Sequence, residues 1–215
     1  MTLRADLFFS FRSPYSYLAV GRYRELAERY DLEIRLRTVM PLAIRDPQFF
    51  TRGNPLMMPY VLADVKRLAQ YLDLPFAFPQ PDPVVQDLET RAIAAEQPHI
   101  WYISRLGEAA ERHGAGLAFA HEAAQLIWGG TKNWDEGEHL ATAAGRAALD
   151  WHTLEAEVAA DAEGLDRQIE DNHAALEAAG HWGVPTLAFN GEPFFGQDRI
   201  EVALWRMKQS GLQER

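Results

Sequence analysis

Residues 8–20 read FFSFRSPYSYLAV. With Leu7 before it, the run Leu7 to Phe9 is short and wholly apolar, as a strand buried on both faces would be. Ser13 is of the N-cap residue type, and Pro14 suits the first position of a helix. Tyr15, Leu18, Ala19, Tyr23, Leu26, Ala27 and Tyr30 then recur at three- and four-residue steps, which predicts a helix. The following stretch DLEIRLRTV (31–39) sets Leu32, Ile34 and Leu36 against Glu33, Arg35 and Arg37, the alternation of a half-exposed strand. Strand, helix and strand make a βαβ unit, which is nearly always right-handed.

After Pro41 the pattern changes. From about residue 45 to 180 the chain reads as helices separated by Pro and Gly breaks. Val61, Leu62, Val65, Leu68, Ala69 and Leu72 make one apolar stripe. PFAFPQPDP (75–83) is a proline-rich loop. Ile100, Ile103, Leu106 and Ala110 make a second stripe that ends near Gly114, and AHEAAQLIW (120–128) stops at Gly129-Gly130. Two more helical stretches are predicted over 137–149 and 165–179. Strand signals return in GVPTLAFNGEPFFG (183–196), where two apolar runs meet at Asn190-Gly191, a dipeptide favoured by tight hairpin turns. In the last helix, Asp198 and Glu201 have capping-box spacing, with Ile200, Ala203, Leu204 and Met207 on the buried face.

This order predicts an α/β fold with a thioredoxin-like mixed sheet. The βαβ unit (residues 1–44) and the ββα unit (181–215) together build one domain, and residues 45–180 form an inserted, all-helical domain.

Composition narrows the function. The chain has 215 residues, 47% of them hydrophobic, and a formal net charge of −10. That balance argues against a nucleic-acid backbone as partner. No apolar run approaches the about 18 residues that span a membrane, and MTLRAD lacks the apolar stretch of a signal peptide, so a soluble cytoplasmic protein is expected. There is no cysteine. The chain therefore has no disulfide, no cysteine nucleophile and no Cys-ligated metal. Any thiol chemistry needs a thiol from outside. The seven histidines are scattered, with no HxH or HxxxH pair, so no metal site is expected.

SPYSYLA (13–19) and HWGVPTLAFNGEPFFGQDRI (181–200) resemble segments of the 2-hydroxychromene-2-carboxylate isomerases and kappa-class glutathione transferases, both of the DsbA-like group. PDPVVQD (81–87), LIWGGTKNW (126–134) and HLATAAGRAALD (139–150) read like the isomerase branch. In redox members of the group the first helix opens with Cys-Pro-x-Cys. Here the same place reads Ser13-Pro14-Tyr15-Ser16.

The resemblance implies roles for particular residues. Ser13 would be catalytic, holding the sulfur of glutathione as a thiolate at a helix N-terminus, where unpaired N–H groups favour an anion. From the residues alone, plain helix capping by Ser13 is the simpler reading. Ser16 reads as a packing or supporting residue. Pro185 would be a cis proline that turns the backbone of Val184 towards an extended peptide, against the simpler reading of a trans proline opening an edge strand. Gln197 and Asp198 would meet the γ-glutamyl end of glutathione, although Asp198 reads equally as an N-cap. Asn54 matches a glutathione-contacting asparagine. Relatives often carry a glutathione-binding lysine a few residues later. Here that place holds Met57, leaving Arg52 or Lys66 as substitutes. Trp101, Tyr102, Trp128 and Trp134 read as core, or as the lining of an aromatic substrate's pocket.

The activity implied is a glutathione-dependent cis–trans isomerase acting on a small aromatic molecule, in a homodimer. Two alternatives share the same residues: a kappa-like transferase that conjugates glutathione to an electrophile, and a non-catalytic thioredoxin-like binding module.

Overall fold

Leu7, Phe8 and Phe9 alternate across the first strand, and each meets a different part of the core. Leu7 packs with Tyr23, Leu187 and Ile200, Phe8 with Val39 and Leu176, and Phe9 with the helical block. This is why the strand carries no polar face. The computed structural model describes residues 2–87, 89–90 and 92–215, with the backbone alone at Thr51. Strand β1 (Leu3–Phe9), helix α1 (Pro14–Arg29) and strand β2 (Leu32–Thr38) form the predicted βαβ unit. β1 and β2 are parallel, with Leu7 opposite Leu36.

Between β2 and the next strand the described residues are helical or irregular. The helices are α2 (Leu42–Arg45), α3 (Phe49–Arg52), α4 (Met57–Tyr71), α5 (Pro98–Arg112), α6 (Gly116–Trp128), α7 (His139–Arg146), α8 (Trp151–Ala160) and α9 (Ala162–Ala178). The chain returns to the sheet as β3 (Thr186–Phe189) and β4 (Glu192–Phe195) and ends in α10 (Ile200–Gln209). The sheet order is β2-β1-β3-β4, with β3 antiparallel to both of its neighbours. Asn190 (φ 50°) and Gly191 (φ 79°) join the last two strands in the left-handed region, the two positive values a tight hairpin turn requires.

Helix α1 serves two cores. Ala19, Tyr23 and Leu26 face the sheet and α10, while Tyr17, Leu18 and Val20 enter the core of the helical block. In the second stripe the expected residues Ile100, Ile103, Leu106 and Ala110 are all fully buried. The first stripe is narrower than its spacing suggests. Val65 and Ala69 are buried, but Leu62 is 42% exposed because α4 covers the rest of the molecule with one edge only. The spacing also overlooks α8. Its apolar face amounts to Leu154 and Val158, and its start is marked by Asp150, whose carboxylate accepts the N–H of Thr153 at 2.8 Å.

β2 lies at the edge of the sheet, where unpaired N–H groups need a partner. Helix α5 supplies two. Glu111 accepts the N–H of Leu36 at 3.1 Å, and Glu108 accepts the N–H of Thr38 at 2.6 Å. Asn172 on α9 donates to Glu108 at 2.8 Å and to the Thr38 carbonyl at 3.0 Å. Burial raises both carboxyl pKa values, that of Glu111 to about 7.

Candidate active site at the start of helix α1

The segment Ser10 to Ser13 turns sharply out of β1, with the N–H of Ser13 bonded to the Ser10 carbonyl at 3.0 Å. Ser13 is extended (φ −93°, ψ 115°) and is the N-cap of α1. Its Oγ accepts the N–H of Ser16 at 3.2 Å. The same Oγ donates to the carbonyl of Val184 at 3.4 Å. The capping reading therefore holds, and the serine also faces the segment that opens β3. Ser16 is fully buried, and its Oγ has no partner among the described residues.

The Val184–Pro185 peptide bond is cis. The carbonyl of Pro185 accepts the N–H of Gly196 at 2.8 Å, and among the described residues nothing accepts the N–H of Val184. The stretch before it is tightly held. Thr186 Oγ1 donates to the Gly183 carbonyl at 2.7 Å, and the Gly183 N–H donates to His181 Nδ1 at 2.9 Å. A side chain at Gly183 has no room, since a Cβ there would come within 2.6 Å of the Phe195 ring. The His181 ring is stacked between Trp182 (4.4 Å) and Phe195 (4.0 Å). Accepting at Nδ1 requires an imidazole with its proton on Nε2, and burial lowers the pKa of His181 in the same sense.

Arg45 was not singled out by the sequence. Its Nε donates to the Met40 carbonyl and its Nη2 to the Trp182 carbonyl, both at 2.8 Å. It ties the end of β2 to the loop that carries Val184. Arg12, next to Ser13, is paired with Asp82 in the proline-rich loop and lies over the Trp128 ring at 5.7 Å. The Tyr17 hydroxyl donates to the Pro75 carbonyl, and burial pushes its pKa to about 12. These bonds hold residues 75–83 beside the start of α1. Trp128 and Trp134 are core residues, as read; each indole N–H is bonded to a carbonyl, of Phe11 at 2.9 Å and of Pro81 at 2.8 Å. Trp101 and Tyr102 are only partly buried.

Tyr15, in the first turn of α1, donates to Asp64 on α4 at 2.9 Å. Burial, then the Asp64 carboxylate, raises the phenol pKa. This brings α4 towards the start of α1. Asn54 is exposed in the turn before α4, and its Oδ1 accepts the N–H of Leu56 at 2.9 Å. No hydrogen bond joins it to Ser13, Val184, Gln197 or Asp198 among the described residues. Met57 begins α4. The two cations considered in its place are engaged elsewhere: Arg52 pairs with Asp46, and Lys66 lies 5.5 Å over the Phe78 ring.

Gln197 and Asp198 precede α10 rather than open it. The capping-box reading of Asp198 is overturned. The N-cap is Arg199, with no side-chain capping bond, and the Asp198 carboxylate pairs with Arg199 at 2.7 Å instead. Gln197 is gripped from α1 by Arg22, whose Nη1 donates to the Gln197 carbonyl at 2.8 Å.

A model of the DsbA-like thioredoxin domain matches residues 4–207. The chain belongs to that family. A protein of Pseudomonas putida named 2-hydroxychromene-2-carboxylate isomerase is 28% identical over 216 residues, covering 94% of each chain. A second of that name, from another Pseudomonas, is 25% identical over 199 residues, covering 91% of this chain and 85% of its own. A solved structure of 2-hydroxychromene-2-carboxylate isomerase matches with a TM-score of 0.67 at 26% identity, covering 96% of this chain and 95% of that one. The DsbA-like sheet, with its helices between β2 and β3, is thus shared along nearly the whole length. Among the described residues no helix is long and apolar enough to cross a membrane, and no three potential ligands cluster as a metal site.

Proposed function

We propose that this DsbA-like protein is a glutathione-dependent cis–trans isomerase of the 2-hydroxychromene-2-carboxylate isomerase type, acting on a small aromatic substrate with a conjugated double bond. One observation carries the reading. Ser13 Oγ stands at the N-terminus of α1, facing Val184, in a chain without cysteine that is similar along its length to two proteins of that name.

The residues present fit a thiol tripeptide. The first turn of α1 offers the N–H of Tyr15 and a partial positive charge, which favour a thiolate over a thiol, and the Ser13 hydroxyl adds a donor when it turns from its 3.4 Å bond to the Val184 carbonyl. The N–H of Val184 has no partner among the described residues, leaving it free to pair with a peptide carbonyl. Gln197 meets the γ-glutamyl carboxylate, Asp198 its ammonium, and Asn54 offers the amide NH2 that its own turn does not use. Glutathione, when bound, would supply a nucleophilic thiolate for reversible addition to the conjugated double bond. The protein's part is to hold the sulfur ionised and to orient it.

The test is turnover of a 2-hydroxychromene-2-carboxylate with and without glutathione, followed by product mass. An isomer of unchanged mass, formed only with glutathione and without consuming it, supports the reading. A product heavier by one glutathione makes the protein a conjugating transferase. Absence of glutathione binding by calorimetry leaves a non-catalytic binding module. The same solution measurements extend to oligomeric state, for which a homodimer is proposed.

A further inference from the structure

We infer that Arg22 is a positioning residue for the carboxylate end of the thiol ligand, because it turns the amide of Gln197 so that the NH2 faces outward. This deepens the glutathione reading above and rests on it. Arg22 lies on α1, well past Ser13. Its Nη1 donates to the Gln197 carbonyl at 2.8 Å and faces Gln197 Oε1 at 3.4 Å. A guanidinium has donors only, so the oxygen of that amide, never its NH2, can face it. Nε2 is thereby directed away from Arg22, and no described residue accepts from it.

Three features beside Gln197 then agree on what should bind. Helix α10 starts with no side-chain cap at Arg199, so its first N–H groups have no side-chain acceptor. Asp198 is turned to Arg199, so its carboxylate is not the acceptor for Gln197. Arg22 Nη2 stands 3.7 Å from Glu201 in the first turn of α10, which holds the cation at this end of the helix. An outward NH2, open helix N–H groups and a held guanidinium together suit a carboxylate. By fixing the carbonyl of Gln197, Arg22 also sets the backbone from which α10 begins.

Calorimetry with two ligands tests this: glutathione, and γ-aminobutyryl-cysteinyl-glycine, which lacks only the α-carboxylate. The wild type should prefer glutathione about tenfold, the scale of one charge-assisted hydrogen bond. Arg22→Ala should lower that preference severalfold, with the thiolate absorbance at saturation still that of the wild type. Arg22→Lys, which keeps one donor, should retain part of it. In a Gln197→Met background, which keeps the bond from Arg22 to the backbone carbonyl at 197 but has no side-chain amide to turn, Arg22→Ala should change the preference between the two ligands no further. The inference is overturned if Arg22→Ala keeps the full preference, or if its effect on that preference persists without the Gln197 side chain. Should Arg22→Ala fail to fold, Arg22→Lys in the two backgrounds gives the same comparison. If the wild type does not bind glutathione at all, the cofactor reading itself fails, and this inference with it.

Discussion

Ser13 Oγ lies 3.4 Å from the carbonyl oxygen of Val184, a residue 171 positions later in the chain. The contact joins the two segments that carry the family resemblance. It also places the serine between a helix start, which favours an anion, and a backbone segment whose Val184 N–H has no partner among the described residues. Four outcomes are expected from this arrangement and the contacts that support it.

Ser13→Ala should act twice. Losing the cap on the Ser16 N–H costs about 1 kcal/mol of stability, read as a small fall in melting temperature. Losing the hydroxyl donor should raise the pKa of the bound thiol and slow turnover. Thiolate absorbance and rate that both match the wild type would remove Ser13 from the proposed chemistry and leave it a cap.

Arg45→Met keeps the aliphatic stem but removes both bonds, to the Met40 and Trp182 carbonyls. A stability loss of about 1–3 kcal/mol is expected. Amide exchange should quicken over residues 181–184, ahead of the rest of β3. Exchange that rises uniformly along the chain would mean that Arg45 supports the fold in general and not this loop.

Glu111→Gln should change how stability depends on pH. Burial raises this carboxyl to about 7 in the fold, against an ordinary value of 4.5. The folded state therefore binds the proton more tightly than the unfolded chain does. Its stabilising contribution is complete below pH 4.5 and is lost as pH rises through 7. A neutral glutamine still accepts the Leu36 N–H. The variant should match the wild type near pH 4.5 and melt several degrees higher at pH 8. Equal melting temperatures at both pH values would show that Glu111 titrates normally.

Glu108→Leu should be among the more damaging single changes. It strips the acceptor from the Thr38 N–H and from the Asn172 amide, both in a buried setting. About 2–4 kcal/mol is expected from the donors left unpaired. Glu108→Gln, which can still accept, should cost less. Chemical denaturation of the two variants side by side measures the difference.

Legibility followed the range of the interactions involved. The Ser13-Pro14 start, the alternation of 32–37 and the Asn190-Gly191 turn depend on neighbours in the chain, and each is found as read. The capping box at Asp198 was also a local reading, yet it failed. The helix is capped one residue later, at Arg199, and the carboxylate found a cation in that same residue. Arg45 and Arg22 carried no signal, since the shortest long-range bond of each goes to a backbone carbonyl, of Trp182 and Gln197, and any residue type can present a carbonyl. Glu108 and Glu111 look like an ordinary acidic face on α5 until the edge of β2 is laid beside them.

The amino-acid sequence by itself determined the βαβ and ββα units, the helical stretch between them, the absence of any thiol and the two segments that mark the family. These follow from apolar periodicity, turn chemistry and composition, which act over a few residues or none. Only the tertiary structure decided that Ser13 faces Val184, that Arg22 bonds Gln197, and that Arg45 anchors the loop before Val184. Those relations depend on where packing sets one backbone against another, and backbone groups are the same at nearly every position of the chain.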